Sequence, residues 1–351
     1  MSATATNRIE KRMLVRERLT LRRLSVTLVV LLVVLLVFAI VALAVGSERI
    51  GLDTILKIIA SELTGSLAET PAEQVSIITD IRLPRMLMAV VVGAALSVAG
   101  AAFQALLRNP LADPGILGIS SGSALGAIAA TIFTETIPVS RPIAAFIGAV
   151  ITMGIVYAIG QGRRGTSTER LILAGVIVNA FLSSVVIYLV TAASGSRLRS
   201  VFSWLIGDLG SEPSLLPMVA ALIACGIFAI FINSRSLNLL MTGEQEALAL
   251  GVEVKRVQIS VYIAASLITG AAVAAGGAIG FVGLIIPHAV RLAGGSDNRL
   301  VIPGSALGGA AFLLFADTLA RTVIAPRELH IGVITAFIGV PVFIYLLRRS
   351  S

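Results

Sequence analysis

Charge is scarce in this sequence, and so are the residues that do chemistry. Asp, Glu, Lys and Arg make up 13% of the 351 residues, about half the roughly 25% of a soluble domain. Cysteine occurs once, as Cys225 inside an apolar run, which excludes an intrachain disulfide and a cysteine-based metal site. Histidine occurs twice, as His288 and His330, far apart, and no HExxH, CxxC or GxSxG context is present. Lys11, Lys57 and Lys255 are the only lysines and none follows a glycine, so a phosphate-cradling GxxxxGK(S/T) loop is missing. The chain is therefore not itself a P-loop ATPase. Without converging nucleophiles, bases or ligands, no catalytic residue, metal or cofactor is expected.

What the sequence does hold is hydrocarbon. Hydrophobic residues reach 57% and mean hydropathy is +0.98. A bilayer core about 30 Å thick takes roughly 20 apolar residues per helix. About ten such runs occur, near residues 24–45, 84–107, 115–133, 142–161, 170–190, 214–233, 257–276, 280–293, 302–320 and 330–347. They predict an all-α, polytopic membrane protein with about ten transmembrane helices. The net charge of +8 gathers in short segments beside these runs, as in cytoplasmic loops, so no nucleic-acid partner is expected.

Residues 1–23 hold Arg8, Lys11, Arg12, Arg16, Arg18, Arg22 and Arg23. They read as a basic cytoplasmic leader or as an amphipathic helix that binds lipid or a partner. Residues 24–351 then form one transmembrane domain. Ten crossings from an inside start place Arg348 and Arg349 inside, with Arg163, Arg164, Lys255 and Arg256. Both termini are thus expected in the cytoplasm. Residues 47–81, rich in acids, fall outside and include a short amphipathic helix around residues 55–63. Arg197 to Gly207 is too short to cross and reads as a re-entrant or interfacial helix.

The chain is organised around Arg82 to Ala127. Arg82, Pro84 and Arg85 open a span whose Gly93, Ala94, Ala95, Ser97, Ala99 and Gly100 allow close helix approach in lipid. Polar residues inside spans are few: Gln104, Asn179, His288 and Asp317. An unpaired charge there costs about 2.5 to 3.5 kcal/mol on insertion scales. Asp317 stands four residues before Arg321, which predicts an i,i+4 pair; a proton relay is the alternative. His288 follows Pro287 and is expected to bond a carbonyl that the proline frees. Residues 234–256 form a cytoplasmic segment with a short helix over Met241–Leu250. Leu240, Ala247 and Leu250 are its expected apolar face, docking another protein or capping the bundle.

These motifs together resemble the FecCD-type permeases of ATP-driven importers. The strings are RLPR from Arg82, QALLRNPLADPGILGISSGSALGA from Gln104, ERLILAGV from Glu169, GEQEALALGV from Gly243, GFVGLIIPHAVRL from Gly280, LFADTLAR from Leu314 and IGVITAFIGVPVFIYLLRR ending at Arg349. The resemblance runs in order over nearly the whole chain from about Leu24. It implies a type II ABC importer permease in a bacterial inner membrane, with cargo passing at a dimer interface. The implied partners are ATP-binding cassette ATPase subunits, an extracytoplasmic substrate-binding protein, a second permease subunit (a second copy or a close paralogue) and membrane lipid.

By matching motif, Arg82, Arg85 and Arg321 would dock the binding protein; interfacial anchoring is the alternative. Gly243, Glu244, Glu246, Ala247, Leu250 and Gly251 would couple to the ATPase. Thr166, Ser167 and Thr168 would form an inner gate, or cap the helix that follows, and Asn179 and Ser183 would line the path. His330 departs from the proline usual there. The implied cargo is an iron chelate (siderophore or haem) or cobalamin, and no residue selects among them. An ion-gradient-driven secondary transporter using Asp317 and His288 is the rival reading.

Overall fold

In lipid a backbone has no water to bond, so each apolar run must satisfy its own N–H and C=O groups as a helix. The computed structural model describes residues 20–46, 48–64, 70–133, 139–162, 165–166, 168–192, 202–210, 212–325 and 327–350. Their regular structure is helical apart from one short antiparallel ladder, Gln161–Gly162 against Gly165–Thr166. The elements are α1 (Leu21–Ala44), α2 (Leu52–Thr64), α3 (Ala72–Leu106), α4 (Ile119–Ile132), α5 (Arg141–Gly160) and α6 (Thr168–Ala192), then α7 (Leu216–Ile232), α8 (Ser234–Leu240), α9 (Glu244–Ala249), α10 (Val254–Gly276), α11 (Val282–Gly294), α12 (Asn298–Thr322) and α13 (Ile331–Ser350). Among the described residues, seven helices are long and apolar enough to cross a membrane, and α4, α11 and α13 are shorter apolar helices. Each of the ten expected spans coincides with one of these.

The small-residue helices lie inside and the bulky ones outside. α3, α10 and α12 are mostly buried, whereas α1, dense in Val and Leu, and α7, rich in Ile and Phe, are mostly exposed. α3 touches its neighbours backbone to backbone. A Cβ on Gly93 would collide with the Gly309 carbonyl oxygen of α12, and one on Gly100 with that of Gly283 in α11, each closer than the 3.0 Å that Cβ atoms tolerate. Gly100→Ala is therefore expected to push α11 off α3 and cost about 1–3 kcal/mol. Gly154, with nothing within 4 Å of its Cβ position, supplies the control: thermal melting in detergent should fall for Gly100→Ala and hold for Gly154→Ala.

After its first turn, Ala72–Ser76, α3 passes through a π-helical stretch, Ile77–Arg82, closed by a bond from Leu83 N–H to the Ile78 carbonyl. Pro84 follows, and its missing N–H would break a regular rung there. After α3 the chain turns on Arg108, at φ 49°, with Asn109 Oδ1 accepting from Leu111 N–H at 2.9 Å and Asp113 Oδ1 from Gly115 N–H at 2.8 Å. These side-chain turns run to Gly118, so α4 begins at Ile119 rather than near residue 115. Of the expected helix in Arg197 to Gly207, residues 197–201 lie outside the described residues. Residues 202–205 make one helical turn with Trp204 buried. Gly332 N–H bonds the Ile206 carbonyl at 2.9 Å and Asp208 N–H bonds that of Gly276 at 2.9 Å, which seats this turn on the ends of α10 and α13. The basic leader through residue 19 lies outside the described residues.

Candidate functional site

One end of the bundle is tied by arginines. Asp317 of α12 has no exposed surface, so its charge must be compensated within the protein. Arg321 Nε donates to Asp317 Oδ2 at 3.0 Å, the expected i,i+4 pair. Arg85 Nε of α3 donates to Asp317 Oδ1 at 2.9 Å. Both carboxylate oxygens are thus held by guanidinium groups. The arginines also reach the last turn of α1, whose terminal carbonyls have no partner within that helix. Arg321 Nη2 donates to the Ala42 carbonyl at 3.2 Å, and Arg82 Nη1 to that of Leu43 at 2.6 Å. Arg82 Nη2 donates to the Glu48 carbonyl at 2.5 Å. Cations at a helix C-terminus also meet the negative end of its dipole.

Of the three arginines expected at a docking surface, the structure turns Arg82 and Arg321 inward, 5% and 7% exposed. Arg85 faces the rim, where its Nη1 meets the exposed Glu328 Oε2 at 2.7 Å. His330, half-buried, accepts through its carbonyl from Val333 N–H at 3.1 Å at the start of α13.

The opposite end of α12 meets α8, which leads into α9. Gly243, at φ 148°, starts α9, and Gly251, at φ 82°, ends it. Gly251 N–H bonds the Leu248 carbonyl and Val252 N–H that of Ala247, the paired bonds of a glycine-terminated helix. The expected apolar face needs correction. Leu240 and Ala247 are buried against the chain, and the exposed apolar pair is Leu248 with Leu250. A helix of six residues is too short for its spacing to say which side the bundle takes. Leu248 also borders an open depression of about 630 Å³ with Glu253, Lys255, Arg256 and Ile259. Glu244 accepts from Gln258 Nε2 of α10 at 2.9 Å, and Glu246 lies in the first turn of α9.

A half-buried joint, with Asn298 at its buried centre, fastens this segment to α12. Asn238 Nδ2 donates to Asp297 Oδ1 at 2.8 Å, while Asn238 Oδ1 accepts from Asn298 N–H at 2.8 Å and Asn298 Nδ2 at 2.9 Å. Asp297 caps α12 through Arg299 N–H. Its carboxyl is held below the usual carboxylate range: burial opposes ionisation, and the bonds from Arg299 and Asn238 outweigh it.

Between the ends, Gln104 takes the part expected of His288. Pro287 lacks the N–H that would bond the Gly283 carbonyl, and Gln104 Nε2 takes that carbonyl at 3.1 Å. Gln104 Oε1 accepts in turn from Arg291 Nη1. His288 Nε2 is buried with no partner among the described residues, so it does not fill the role expected at the proline. On α6, Asn179 and Ser183 meet across a half-buried contact with Ser121 of α4. The Ser121 hydroxyl donates to Asn179 Oδ1 and stands 3.4 Å from Ser183 Oγ. Ser121 was missed at the sequence level, although the polar run Ser120, Ser121 and Ser123 marks it. Thr166 pairs with Gln161 in the short ladder and Thr168 begins α6; Ser167 lies outside the described residues.

The chain is similar in sequence and in fold to known proteins. Residues 32–349 match the FecCD transport family. The chain is 42% identical over 277 residues to the hemin transport system permease protein HmuU of Yersinia pestis, covering 77% of this chain and 83% of that protein. It is 44% identical over 273 residues to the cobalamin import system permease protein BtuC of Halobacterium salinarum, covering 78% and 73%. A solved structure described as an inward-facing conformation of a metal-chelate type ABC transporter superposes with a TM-score of 0.79 at 30% identity, over 92% of this chain and 98% of that one.

Proposed function

The chain belongs to the FecCD transport family, and from that premise we propose that it is the membrane subunit through which an ATP-driven, binding-protein-dependent importer passes an iron chelate, haem or a cobalamin-like cargo. Like its relatives, the chain is a transport permease subunit and not an enzyme. The observation that carries the ATP-driven reading is α9. It is bounded by two glycines and presents Leu248 and Leu250 outward, beside a depression rimmed by Lys255 and Arg256. Two exposed leucines on a short, glycine-bounded helix suit burial in a groove of a partner protein. This face is the cytoplasmic one, where an ATPase subunit binds. The Asp317 end is then external, and both termini lie in the cytoplasm of a bacterial inner membrane.

Cargo passes along a dimer axis formed with a second permease subunit. Ser121, Asn179 and Ser183 supply polar groups to the path, and Thr166, Ser167 and Thr168 gate its inner end. The relatives named for hemin and for cobalamin support a bulky chelate as cargo. The ion-gradient rival loses its main residue, because both oxygens of Asp317 are engaged by arginines. The test is uptake of haemin, cobalamin or a ferric siderophore into vesicles holding the chain with its ATPase subunit and binding protein. Uptake of one of these that requires ATP is expected. Uphill uptake by the chain alone, driven by an ion gradient, would overturn the reading.

At the external face, Arg85 is the docking arginine of the three, with Glu328 occupying it until an acidic group of the binding protein arrives. Arg82 and Arg321 hold the frame behind it. Glu328→Gln is expected to tighten binding-protein docking by up to about tenfold, or 1.4 kcal/mol, and Arg85→Gln to weaken it by a similar factor. Surface plasmon resonance on the reconstituted permease measures both, and two unchanged affinities would remove Arg85 from the docking surface.

A further inference from the structure

The two side-chain clusters sit at opposite ends of one helix, and we propose that α12 is the rod that carries movement of the coupling segment across the membrane, with Asn238, Asp297 and Asn298 as the clasp at its cytoplasmic end. This rests on reading α9 as the ATPase contact. The clasp is specific to an amide. Asn238 gives a donor to Asp297 and an acceptor to two N–H groups of Asn298; leucine offers neither and aspartate has no donor. Asn298 is fully buried, so the N–H groups it would leave unpaired carry their full desolvation cost. Met241, directly after α8, closes the joint, with its Sδ 3.3 Å from Asn298 Nδ2.

The other polar attachments of this segment are slighter. Glu244 pairs with Arg108 at 3.7 Å with both side chains about 40% exposed, a surface pair of little weight. Its bond from Gln258 is a single one. The clasp instead fastens α8, two residues from Leu240 and the turn into α9, to the first turn of α12. From there α12 runs 25 residues, roughly 37 Å at 1.5 Å per residue, enough to cross the bilayer. Pro303 lacks the N–H of one rung in its second turn, and the helix continues through it without a break to Thr322.

At the far end, Asp317 and Arg321 bind Arg85 of α3 and the end of α1. Between the two ends α12 meets α3 at Gly93 and Gly309. Among the described residues no side-chain hydrogen bond joins the two helices along that seam, where the Ser97 hydroxyl has no partner. A helix bonded at its ends and smooth along its length shifts as one body, the shear type of motion. The Asn238 amide thus positions α12 against the coupling segment, and the Asp317 cluster reads the result at the binding-protein face.

The experiment uses the full chain assembled with its ATPase subunit in nanodiscs, in a Cys225→Ser background. Spin labels replace Val323, just past the outer end of α12, and Leu52 of α2; both residues are exposed. Pulsed electron resonance then reads their separation with and without ATP and vanadate. A nucleotide-dependent change is expected in the parent. Asn238→Asp, which sets two carboxylates against each other, should abolish that change while ATP hydrolysis continues. Adding Asp297→Asn returns an amide donor to the joint, now facing the carboxylate at position 238, and should restore the change. Haemin uptake per ATP should follow the same order, falling about tenfold for a coupling loss near 1.4 kcal/mol.

A label separation that ignores nucleotide in the parent, or a change that survives Asn238→Asp, overturns the proposal. So does a double variant that assembles without recovering the change, which covers the case of a single variant that fails to fold. If charging Leu248 and Leu250 leaves the change intact, the α9 reading itself fails. If that abolishes it while Asn238→Asp does not, only the rod fails.

Discussion

Asp317→Ala is expected to destabilise the protein by about 3–5 kcal/mol, the usual result of removing one partner from a buried ion pair. Alanine leaves Arg85 Nε and Arg321 Nε without their carboxylate at a site where Arg321 is 7% exposed. Both guanidinium groups must then be dragged toward water, and Arg321 gives up the Ala42 carbonyl as it goes. Loss of folded material after detergent extraction and a lower melting temperature should report this. A triple variant, Arg85→Met with Asp317→Leu and Arg321→Met, separates charge from packing. Replacing a buried ionic group by apolar residues of similar volume is often neutral, so the triple variant should melt well above Asp317→Ala. A melting temperature for Asp317→Ala equal to that of the parent would show that the cluster does not hold α1, α3 and α12 together.

The second large effect lies at the other end. Leu248→Asp with Leu250→Asp places two charges where exposed leucines stand and should weaken ATPase binding by at least about 2 kcal/mol, or 30-fold, as for a hot-spot residue of an interface. Because neither side chain supports the fold, melting should be unchanged. Ala247→Asp should behave differently: Ala247 has no exposed surface, so a buried unpaired carboxylate would dislodge α9 and lower stability as well. Copurification with the ATPase subunit and melting of the permease separate the two. Normal complex formation by the leucine variant would remove α9 from the interface.

Helix number and order were legible in the sequence because membrane helices declare themselves by apolar length, and even the short α4 and α11 coincide with expected spans. The Asp317–Arg321 pair was legible too, since four residues is one turn. Arg85 joins that pair from 232 residues away, and nothing in local spacing announces such a contact. The same limit explains Gln104, which meets the Gly283 carbonyl 179 residues on. The sequence identified the carbonyl deficit at Pro287 and assigned it to the wrong neighbour, the adjacent His288. In α9 the composition was right and the facing was not: Ala247 and Leu248 are adjacent, and only the tertiary packing decides which is covered. Ser121 escaped notice for the opposite reason, lying in a Gly/Ser tract that helix packing alone would explain.

The arginine caps on α1 also bear on how the chain is made. α1 leaves the ribosome early, yet the guanidinium group that satisfies its Ala42 carbonyl belongs to Arg321, 279 residues later. Until α12 arrives, the Ala42 carbonyl at the end of α1 waits for that partner. Biogenesis therefore has a closing step in which α1 and α12 meet, and a chain cut short before Arg321 lacks that cap.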